Sequence, residues 1–302
     1  MRVVVTGANG FIGGAIVRQL LNNDHEVICV DYENTRCPQQ CVFFDPEEFI
    51  SESLWKITQT ESSKIDAIIH QGACSDTMNH NRDFMMKENY DYSRAILNAC
   101  NRKNIRLIYA SSAAVYGSGI QGFSENTELN IPLNVYAESK LNFDNHVRSR
   151  NDLSTQVVGL RYFNVYGSDE SHKGRMASVV YHFHKQYKDS GVIRPFVGSD
   201  DFYRDFVYVN DIVNMNMFFL KNHHISGIFN AGSGTERSFG DIAKIISKIS
   251  GCKIDHRKFP EELKGKYQKF TRADMTNMLS VGYDVPITTL EQGVSDYWSK
   301  LS

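Results

Sequence analysis

The chain has 302 residues, of which 41% are hydrophobic and 23% are charged, with a formal net charge of −2. These values are typical of a folded globular protein and exclude a disordered chain or a fibre. A chain of this length folds as two domains, or as one large α/β unit with an added lobe. The near-neutral charge gives no electrostatic reason to expect nucleic acid or an anionic membrane as the main partner.

The six cysteines show no pair of CxxC motifs and no histidine at zinc-ligand spacing beside them. Cys37 and Cys41 lie close enough in sequence for a metal or a disulfide, but free thiols in a reducing cytosol are the simpler interpretation. Thr6, Asn9 and three glycines interrupt the apolar N-terminal stretch, which argues against a secretion signal. No run of 18 apolar residues occurs. We therefore expect no metal, no membrane partner and a cytoplasmic protein.

The first half of the chain alternates short apolar runs with longer amphipathic segments. The apolar positions in each run are contiguous, as in parallel strands that are covered on both faces. The predicted strands are Val3–Val5, Glu26–Val30, Ala67–Ile69, Leu107–Tyr109 and Gln156–Leu160, and the predicted helices include Phe11–Leu21 and Phe84–Cys100. This alternation predicts an α/β fold built on a Rossmann-type, doubly wound parallel sheet.

The pattern changes after Gly167, and we expect residues 1–167 to form a first domain and residues 168–302 a smaller C-terminal lobe. Some segments of that lobe are expected to return to the first domain. The predicted elements here are strands at Phe206–Val209 and Gly227–Asn230 and helices over Asp211–Leu220, Ser238–Ser250 and Thr288–Leu301. Thr288 and Glu291 have the spacing of a capping box, and Gly251 stands where a helix C-cap would fall.

Three glycines, Gly7, Gly10 and Gly13, follow the first strand and open the first helix. Glycines at such a turn let backbone N–H groups approach a pyrophosphate at the helix N-terminus. Asp31 ends the second strand, where its carboxylate would accept hydrogen bonds from the adenosine ribose and favour NAD. Arg36, in the following loop, would instead neutralise a 2′-phosphate, so NADP stays open. The first domain is therefore predicted to bind a dinucleotide.

A tyrosine and a lysine, Tyr136 and Lys140, lie four residues apart and share a face if this segment is helical. A nearby ammonium and the positive charge of a nicotinamide both favour the phenolate, so we expect a lowered Tyr136 pKa. Ser112 follows the fourth strand and can hydrogen-bond the same reacting oxygen. Such a pair arises by chance on protein surfaces, but here three motifs follow one another on the expected elements. Together they predict oxidation of an alcohol beside a nicotinamide.

These motifs resemble the extended short-chain dehydrogenase/reductase family, and within it the nucleotide-sugar epimerases that act on an ADP-activated heptose. The resemblance runs essentially from end to end. The segments that carry it are Gln71–Ser75, Tyr109–Gly117, Pro132–Tyr136, Leu160–Gly167, His172–Ser178, Arg204–Val209 and Leu263–Gln268. The most specific of them is His172–Ser178.

The resemblance implies that Tyr136 and Lys173 are opposed acid/base groups, assisted by Ser112 and Lys140. From the residues alone, Lys173 could equally be a solvated loop lysine or hold phosphate. The implied cofactor contacts are Gly7, Gly10, Phe11, Ile12, Gly13, Asp31, Tyr32, Gln71, Gly72, Ala73, Cys74, Ser75, Asn89 and Lys140. The implied substrate contacts are Ser112, Asn164, Arg175, His182, Phe196, Val197, Gly198, Ser199, Arg204 and Tyr267.

Two of the substrate residues need comment. Arg204 would bind phosphate oxygens in a bidentate manner, and its alternative is a structural pair with Asp205. His182 and His184 are two residues apart on a predicted helix, so they face different ways and cannot both be ligands. The chain also departs from the family pattern at Gln71, Ser168 and Arg175, and the loop from Tyr32 to Phe44 aligns poorly.

The function implied by the resemblance is inversion at C6 of the heptose through a 6-keto intermediate, with one tightly bound NADP (NAD possible) per subunit. It also implies a role in lipopolysaccharide core precursor synthesis and a homo-oligomer, with a pentamer suggested. The nearest alternative is a UDP-hexose 4-epimerase. A 4,6-dehydratase is disfavoured because Ala113 and Ala114 stand where its acid–base pair would be. A cofactor-sensing regulator would be expected to lack the Tyr136 and Lys140 pair.

Overall fold

The structure is a computed structural model that describes residues 1–53, 64–127, 130–259 and 269–301. Contacts divide the chain into two compact units. Unit 1 comprises Met1–Gly117, Glu128–Arg161 and Val213–Phe229, and unit 2 comprises Ser118–Thr127, Tyr162–Ile212 and Asn230–Ser302.

The central sheet contains seven strands in the order β3-β2-β1-β4-β5-β6-β10. These strands are β1 (Arg2–Thr6), β2 (Glu26–Val30), β3 (Val42–Phe44), β4 (Ala67–His70), β5 (Arg106–Ser112), β6 (Val157–Tyr162) and β10 (Gly227–Ala231). Strand β1 pairs in parallel with β2 on one side and with β4 on the other. The predicted doubly wound parallel sheet is therefore confirmed.

The strands form because their apolar runs are buried on both faces. Val3, Val4 and Val5 are fully buried, as are Ile68 and Ile69 in the neighbouring strand. Strand order reverses between β1 and β4, and in such sheets ligands bind beyond the carboxyl ends of the strands at this point. The glycine turn follows β1 there, and the segment 71–75 follows β4.

The α-helices of the described residues are, in chain order, α1 (Phe11–Asn22), α2 (Pro46–Glu48), α3 (Arg82–Met85), α4 (Tyr92–Lys103), α5 (Val135–Ser149), α6 (Val179–Ser190), α7 (Val209–Lys221), α8 (Phe239–Ser250), α9 (Thr276–Ser280) and α10 (Leu290–Leu301). Short 3₁₀ turns lie at Ala113–Tyr116, Ser171–Met176 and Ser199–Asp201, and π-helical segments at Phe49–Ser53 and Met86–Asp91. Among the described residues, no helix is both long and apolar enough to cross a membrane. All six cysteines are free thiols.

The single helix predicted over Phe84–Cys100 is wrong in its interior. A π-helical segment, Met86–Asp91, separates α3 from α4. The cause is tertiary, because fully buried Asn89 within this segment bonds to the loop after β4. Single π turns of this kind often occur at functional sites.

Unit 2 contains a three-stranded sheet of β11 (Glu236–Ser238), β9 (Tyr203–Tyr208) and β7 (Asn164–Tyr166), and a short pair of β12 (Lys253–Ile254) with β8 (Val192–Ile193). Gly251 is the left-handed C-cap of α8, as predicted.

The predicted capping box at the last helix is wrong by one residue. Helix α10 begins at Leu290, and the reciprocal bonds join Thr289 with Gln292. Thr288 does not cap the helix, because its N–H and hydroxyl both donate to the Asp211 carboxylate.

Candidate active site

The glycine turn between β1 and α1 has no room for a side chain at Gly7 or Gly13. Gly7 has φ of +66°, and a Cβ there would lie 2.7 Å from the Gly72 nitrogen. A Cβ at Gly13 would overlap the Gly7 carbonyl oxygen, which already accepts the Gly10 N–H at 3.0 Å. The turn thus leaves the backbone at the start of α1, including Phe11 and Ile12, open to a phosphate group.

The carboxylate of Asp31 lies beside this turn. It accepts the N–H of Asn9 at 2.8 Å and the N–H of Tyr32 at 2.9 Å. Arg36 donates its own N–H to the Asn9 Oδ1 at 3.1 Å and its Nη1 to the Asn9 carbonyl at 3.2 Å. A cavity of about 110 Å³ lies here, and its lining includes Arg18 and Arg36. Sequence reasoning identified Arg36 but missed Asn9 and Arg18.

The loop after β4 is held in place by the side chain of Asn89. The Asn89 Oδ1 accepts the Cys74 N–H at 2.8 Å, and its Nδ2 donates to the Cys74 carbonyl and to the Ser139 hydroxyl, both at 3.0 Å. Asn89 therefore shapes the loop, and its predicted contact with a cofactor stays a prediction. The Gln71 carboxamide is buried, and neither its oxygen nor its nitrogen has a hydrogen-bond partner among the described residues.

Ser112 and Tyr136 meet at the carboxyl end of β5. Ser112 caps the following 3₁₀ turn by accepting the Ala114 N–H at 3.1 Å. Burial raises the pKa of Tyr136, and a hydrogen bond with Ser112 offsets only part of this rise. The prediction of a lowered Tyr136 pKa is therefore wrong as far as the protein's own groups are concerned. The contribution of the nicotinamide charge to lowering this pKa stays a prediction.

Lys140 lies one helical turn after Tyr136 and is 5% exposed. Its Nζ donates to the Ala110 carbonyl oxygen at 2.9 Å. Burial lowers the pKa of Lys140 to about 8, against the opposing charge of Asp144. The ammonium is therefore anchored to the end of β5, beside Ser111 and Ser112.

A buried ion pair lies behind Lys140. Asp144 and Arg161 are both fully buried, and the Arg161 Nε donates to Asp144 at 2.8 Å. The same carboxylate accepts the hydroxyls of Tyr109 and Ser111, each at 3.0 Å. Sequence reasoning missed this cluster, although Asp144 follows Lys140 by four residues and must share its helix face.

In unit 2, Lys173 lies in the 3₁₀ turn Ser171–Met176. Its Nζ is 3.7 Å from a carboxylate oxygen of the fully buried Glu170. Burial lowers the pKa of Lys173, and Glu170 opposes this. A lysine with a lowered pKa exchanges its proton more readily near neutral pH, as an acid/base group must.

Two of the predicted substrate residues, Arg175 and His182, lie on the 3₁₀ turn Ser171–Met176 and on helix α6 of unit 2. The His182 Nε2 lies 3.3 Å from the Arg175 carbonyl oxygen. His184 instead packs its ring against Trp298, at 4.9 Å between centroids. The prediction that the two histidines face different ways is confirmed.

The segment 196–199 forms a second turn of unit 2. Gly198 has φ of +80°, and the buried Ser199 hydroxyl has no hydrogen-bond partner among the described residues. The Arg257 guanidinium lies over the Phe196 ring at 4.2 Å from its centroid. Val197 is 58% exposed at the tip of this turn.

Arg204 lies on β9 and is 6% exposed, with its Nη1 bonded to the Tyr203 carbonyl at 2.8 Å. The neighbouring Asp205 carboxylate accepts backbone N–H groups of Ser233, Gly234 and Ala273. Those bonds satisfy the Asp205 carboxylate, and the ligand role of Arg204 stays a prediction. Asn164 is exposed at the start of β7.

The predicted residues therefore fall into two groups. Those in unit 1 are Gly7, Gly10, Phe11, Ile12, Gly13, Asp31, Tyr32, Gln71, Gly72, Ala73, Cys74, Ser75, Asn89, Ser112, Tyr136 and Lys140; those in unit 2 are Asn164, Lys173, Arg175, His182, Phe196, Val197, Gly198, Ser199 and Arg204. Tyr267 lies outside the described residues.

Residues 3–232 match the NAD dependent epimerase/dehydratase family, and the chain belongs to that family. This confirms the family resemblance read from the motifs. A relative from Brachyspira hyodysenteriae, named ADP-L-glycero-D-manno-heptose-6-epimerase, is 44% identical over 98% of this chain and 96% of its own length.

Solved structures show the same fold. The Helicobacter pylori ADP-L-glycero-D-manno-heptose-6-epimerase is 28% identical, with a TM-score of 0.85 over 99% of this chain and 96% of that one. The Thermus thermophilus UDP-glucose 4-epimerase in complex with NAD is 23% identical, with a TM-score of 0.83 over 100% of this chain and 99% of that one. At that lower identity the likeness concerns the fold alone.

The residues present fit a nicotinamide dinucleotide. Gly7 and Gly13 leave a backbone cradle that a Cβ would fill. The buried Gln71 carboxamide has hydrogen-bonding capacity that the described protein atoms do not use. Asp31 stands at the end of β2, where a ribose hydroxyl would be bound.

Proposed function

We propose that this chain is an ADP-L-glycero-D-manno-heptose 6-epimerase, which interconverts ADP-D-glycero-D-manno-heptose and ADP-L-glycero-D-manno-heptose. The observation that carries this proposal is the 44% identity to the Brachyspira enzyme of that name over 98% of this chain. The chemistry of the site agrees with it, because unit 1 holds a Ser112–Tyr136–Lys140 set and unit 2 a lysine with a lowered pKa.

The bound nicotinamide supplies a hydride acceptor and donor for C6 of the heptose. Tyr136 then acts on the C6 hydroxyl proton, with Ser112 hydrogen-bonded to the same phenol. Lys140, whose amine is bonded to the Ala110 carbonyl, holds a positive charge on the face of α5 that carries Tyr136. This charge favours the Tyr136 phenolate, the form that accepts the proton of the C6 hydroxyl. Lys173 serves the epimer whose hydroxyl lies on the other face of the carbon. Two groups are needed because one base reaches both orientations only with difficulty.

NADP is the preferred cofactor in this proposal. Arg36 and Arg18 line a cavity beside Asp31, and two guanidinium groups suit a 2′-phosphate. We expect Arg36→Ala to weaken NADP binding at least about tenfold, the loss of one charge-assisted contact, and to leave NAD binding unchanged. Titration calorimetry on cofactor-free protein measures both. Arg94→Ala, an exposed arginine on α4, is the control. Equal losses for the two nucleotides in Arg36→Ala would contradict a 2′-phosphate contact.

The reaction is tested with purified protein and ADP-D-glycero-D-manno-heptose, followed by NMR of the C6 proton. We expect an equilibrium mixture of the two epimers. A parallel incubation with UDP-glucose tests the nearest alternative. Conversion of UDP-glucose to UDP-galactose, with no change in the heptose, would replace this function by a UDP-hexose 4-epimerase.

On the same resemblance we propose a cytoplasmic homo-oligomer that acts in lipopolysaccharide core precursor synthesis, with a pentamer as the expected assembly. Light scattering during gel filtration measures the subunit number.

A further inference from the structure

Glu170 occupies a buried position that the proposed reaction does not use directly. It is fully buried, and one carboxylate oxygen accepts the Ser178 N–H at 2.6 Å. The other oxygen accepts the Ser178 hydroxyl. Ser178 is in turn the N-cap of α6 and accepts the Tyr181 N–H at 3.4 Å.

Glu170 interacts with Lys173 through both its backbone and its side chain. The Glu170 carbonyl accepts the Lys173 N–H at 3.0 Å, which closes the backbone turn. The Lys173 Nζ lies 3.7 Å from the carboxylate oxygen that also binds the Ser178 N–H. One buried carboxylate thus joins the lysine side chain to the first turn of α6. Between them Gly174 has a positive φ of +54°, which glycine adopts readily.

We propose that Glu170 is a positioning residue for Lys173: its carboxylate holds the Lys173 amine to the start of α6 and sets its charge. This inference rests on the proposed function, in which Lys173 is an acid/base group. A carboxylate about 4 Å from an amine stabilises the ammonium, whereas burial does the opposite. The balance between them decides at what pH the amine gives up its proton.

Tyr297 is a further ionisable group beside Glu170. Tyr297 on α10 is buried, and burial together with Glu170 raises its pKa, so this phenol stays protonated. Tyr181 and Asp169 also face the Tyr297 hydroxyl. The carboxylate that opposes the effect of burial on Lys173 is that of Glu170.

The variant Glu170→Gln distinguishes two roles of Glu170. In one the carboxylate positions Lys173, and in the other it only binds Ser178 at the start of α6. The amide keeps the size of the side chain and an oxygen for Ser178, but it removes the charge that faces Lys173. We expect the Lys173 pKa to fall by roughly one unit or more, as when an opposite charge within 4–6 Å is lost. In turnover, the pH limb controlled by Lys173 then moves to lower pH, whether the reaction needs the amine neutral or protonated.

The direct test needs no substrate. Acetic anhydride labels neutral amines, so the extent of acetylation at Lys173, read by mass spectrometry across a pH series, gives its titration midpoint. We expect a lower midpoint in Glu170→Gln and an unchanged one in Asp169→Asn, the matched charge removal one residue away. If Glu170→Gln does not fold, Glu170→Asp keeps the charge but withdraws it from the amine, and a smaller downward shift is expected.

The result of this acetylation test does not depend on whether the protein is an active epimerase. A Lys173 midpoint equal to that of the parent protein in the folded Glu170 variant would overturn the positioning role, even if the parent is an active epimerase. A lowered midpoint supports the positioning role even if the parent does not epimerise ADP-heptose, in which case it is the proposed function that fails.

Discussion

Burial acts in opposite directions on the two side chains that share one face of α5. It raises the pKa of the Tyr136 phenol and lowers the pKa of Lys140 to about 8. Each shift favours the neutral form, because a low-dielectric environment disfavours charge. Lys140 is therefore mainly charged below about pH 8 and mainly neutral above it. The hydrogen bond from Ser112 and any positive charge brought by a ligand favour the phenolate against this cost.

Replacing Tyr136 tests the acid/base assignment most simply. We expect Tyr136→Phe to fold and to bind cofactor but to lower kcat by at least about 100-fold, the effect typical of a positioned acid/base group. Steady-state kinetics with ADP-heptose measures this. Tyr90→Phe removes another phenol in unit 1 and serves as the control. Near-normal turnover in folded Tyr136→Phe would remove Tyr136 from the mechanism.

Replacing Lys173 distinguishes proton transfer from phosphate binding. An acid/base group acts in the transition state, so Lys173→Met should depress kcat far more than it changes KM. Lys185→Met, an exposed lysine on α6, is the control. If KM rises alone and kcat stays intact, Lys173 only holds phosphate.

At the level of elements, one carboxylate joins α5 to two strands. Asp144 on α5 accepts hydrogen bonds from Tyr109 and Ser111 on β5 and from Arg161 on β6. The Arg161 guanidinium also lies over the Tyr116 ring, 4.8 Å from its centroid. Since Lys140 precedes Asp144 by one helical turn, this cluster fixes the helix face that carries Tyr136 and Lys140.

Breaking the buried pair should cost stability. Asp144→Asn leaves the Arg161 charge buried without its partner, and such losses cost about 3–5 kcal/mol. Urea unfolding, followed by circular dichroism, measures the change. Asp152→Asn breaks the pair of Arg150 with an exposed carboxylate, where a much smaller loss is expected because solvent screens the charge. A similar small loss in both variants would show that the buried pair contributes little.

The glycine turn is the second structural element on which the proposed reaction depends. In Gly13→Ala the new methyl group overlaps the Gly7 carbonyl oxygen, so the turn must open. We expect loss of measurable dinucleotide binding by calorimetry. Gly251→Ala places a side chain in the left-handed C-cap of α8, with nothing near it, and should lower stability by roughly 1 kcal/mol without affecting binding. Full dinucleotide affinity in Gly13→Ala would refute the role of the turn.

Local patterns predicted the elements of the fold, and long-range contacts account for the errors. The strands and the turn at Gly7 depend on neighbouring residues, so the sequence shows them directly. The π-helical segment around Asn89 depends on a bond to Cys74, and the displaced cap at Thr289 on a bond from Thr288 to Asp211. The sign of the Tyr136 pKa shift depends on burial, which spacing alone does not report.

Similarly, Asp144 and Glu170 could not be singled out from sequence. Acidic residues four after, or three before, a lysine on a helical turn are common on solvated surfaces. What distinguishes these two is that both are fully buried, and burial emerges only once the chain is folded.

At the scale of the whole molecule, each unit carries one of the two candidate acid/base groups. Tyr136 belongs to unit 1 and Lys173 to unit 2. The central claim is that both serve an alcohol oxidation at C6 and its reversal, rather than removal of a proton from carbon. No carbonyl neighbours C6 in the substrate, so its C–H bond is too weakly acidic for a side-chain base.

The fate of the C6 hydrogen therefore tests the account most directly. We predict that epimerisation in D₂O places no deuterium at C6, and that a C6-deuterated substrate keeps its label in the product. NMR of the product reads both results in one sample series, and unreacted substrate recovered from the same mixture is the internal control. Solvent deuterium at C6 at a level approaching one atom per turnover would contradict the hydride mechanism, and with it the assignment of Tyr136 and Lys173.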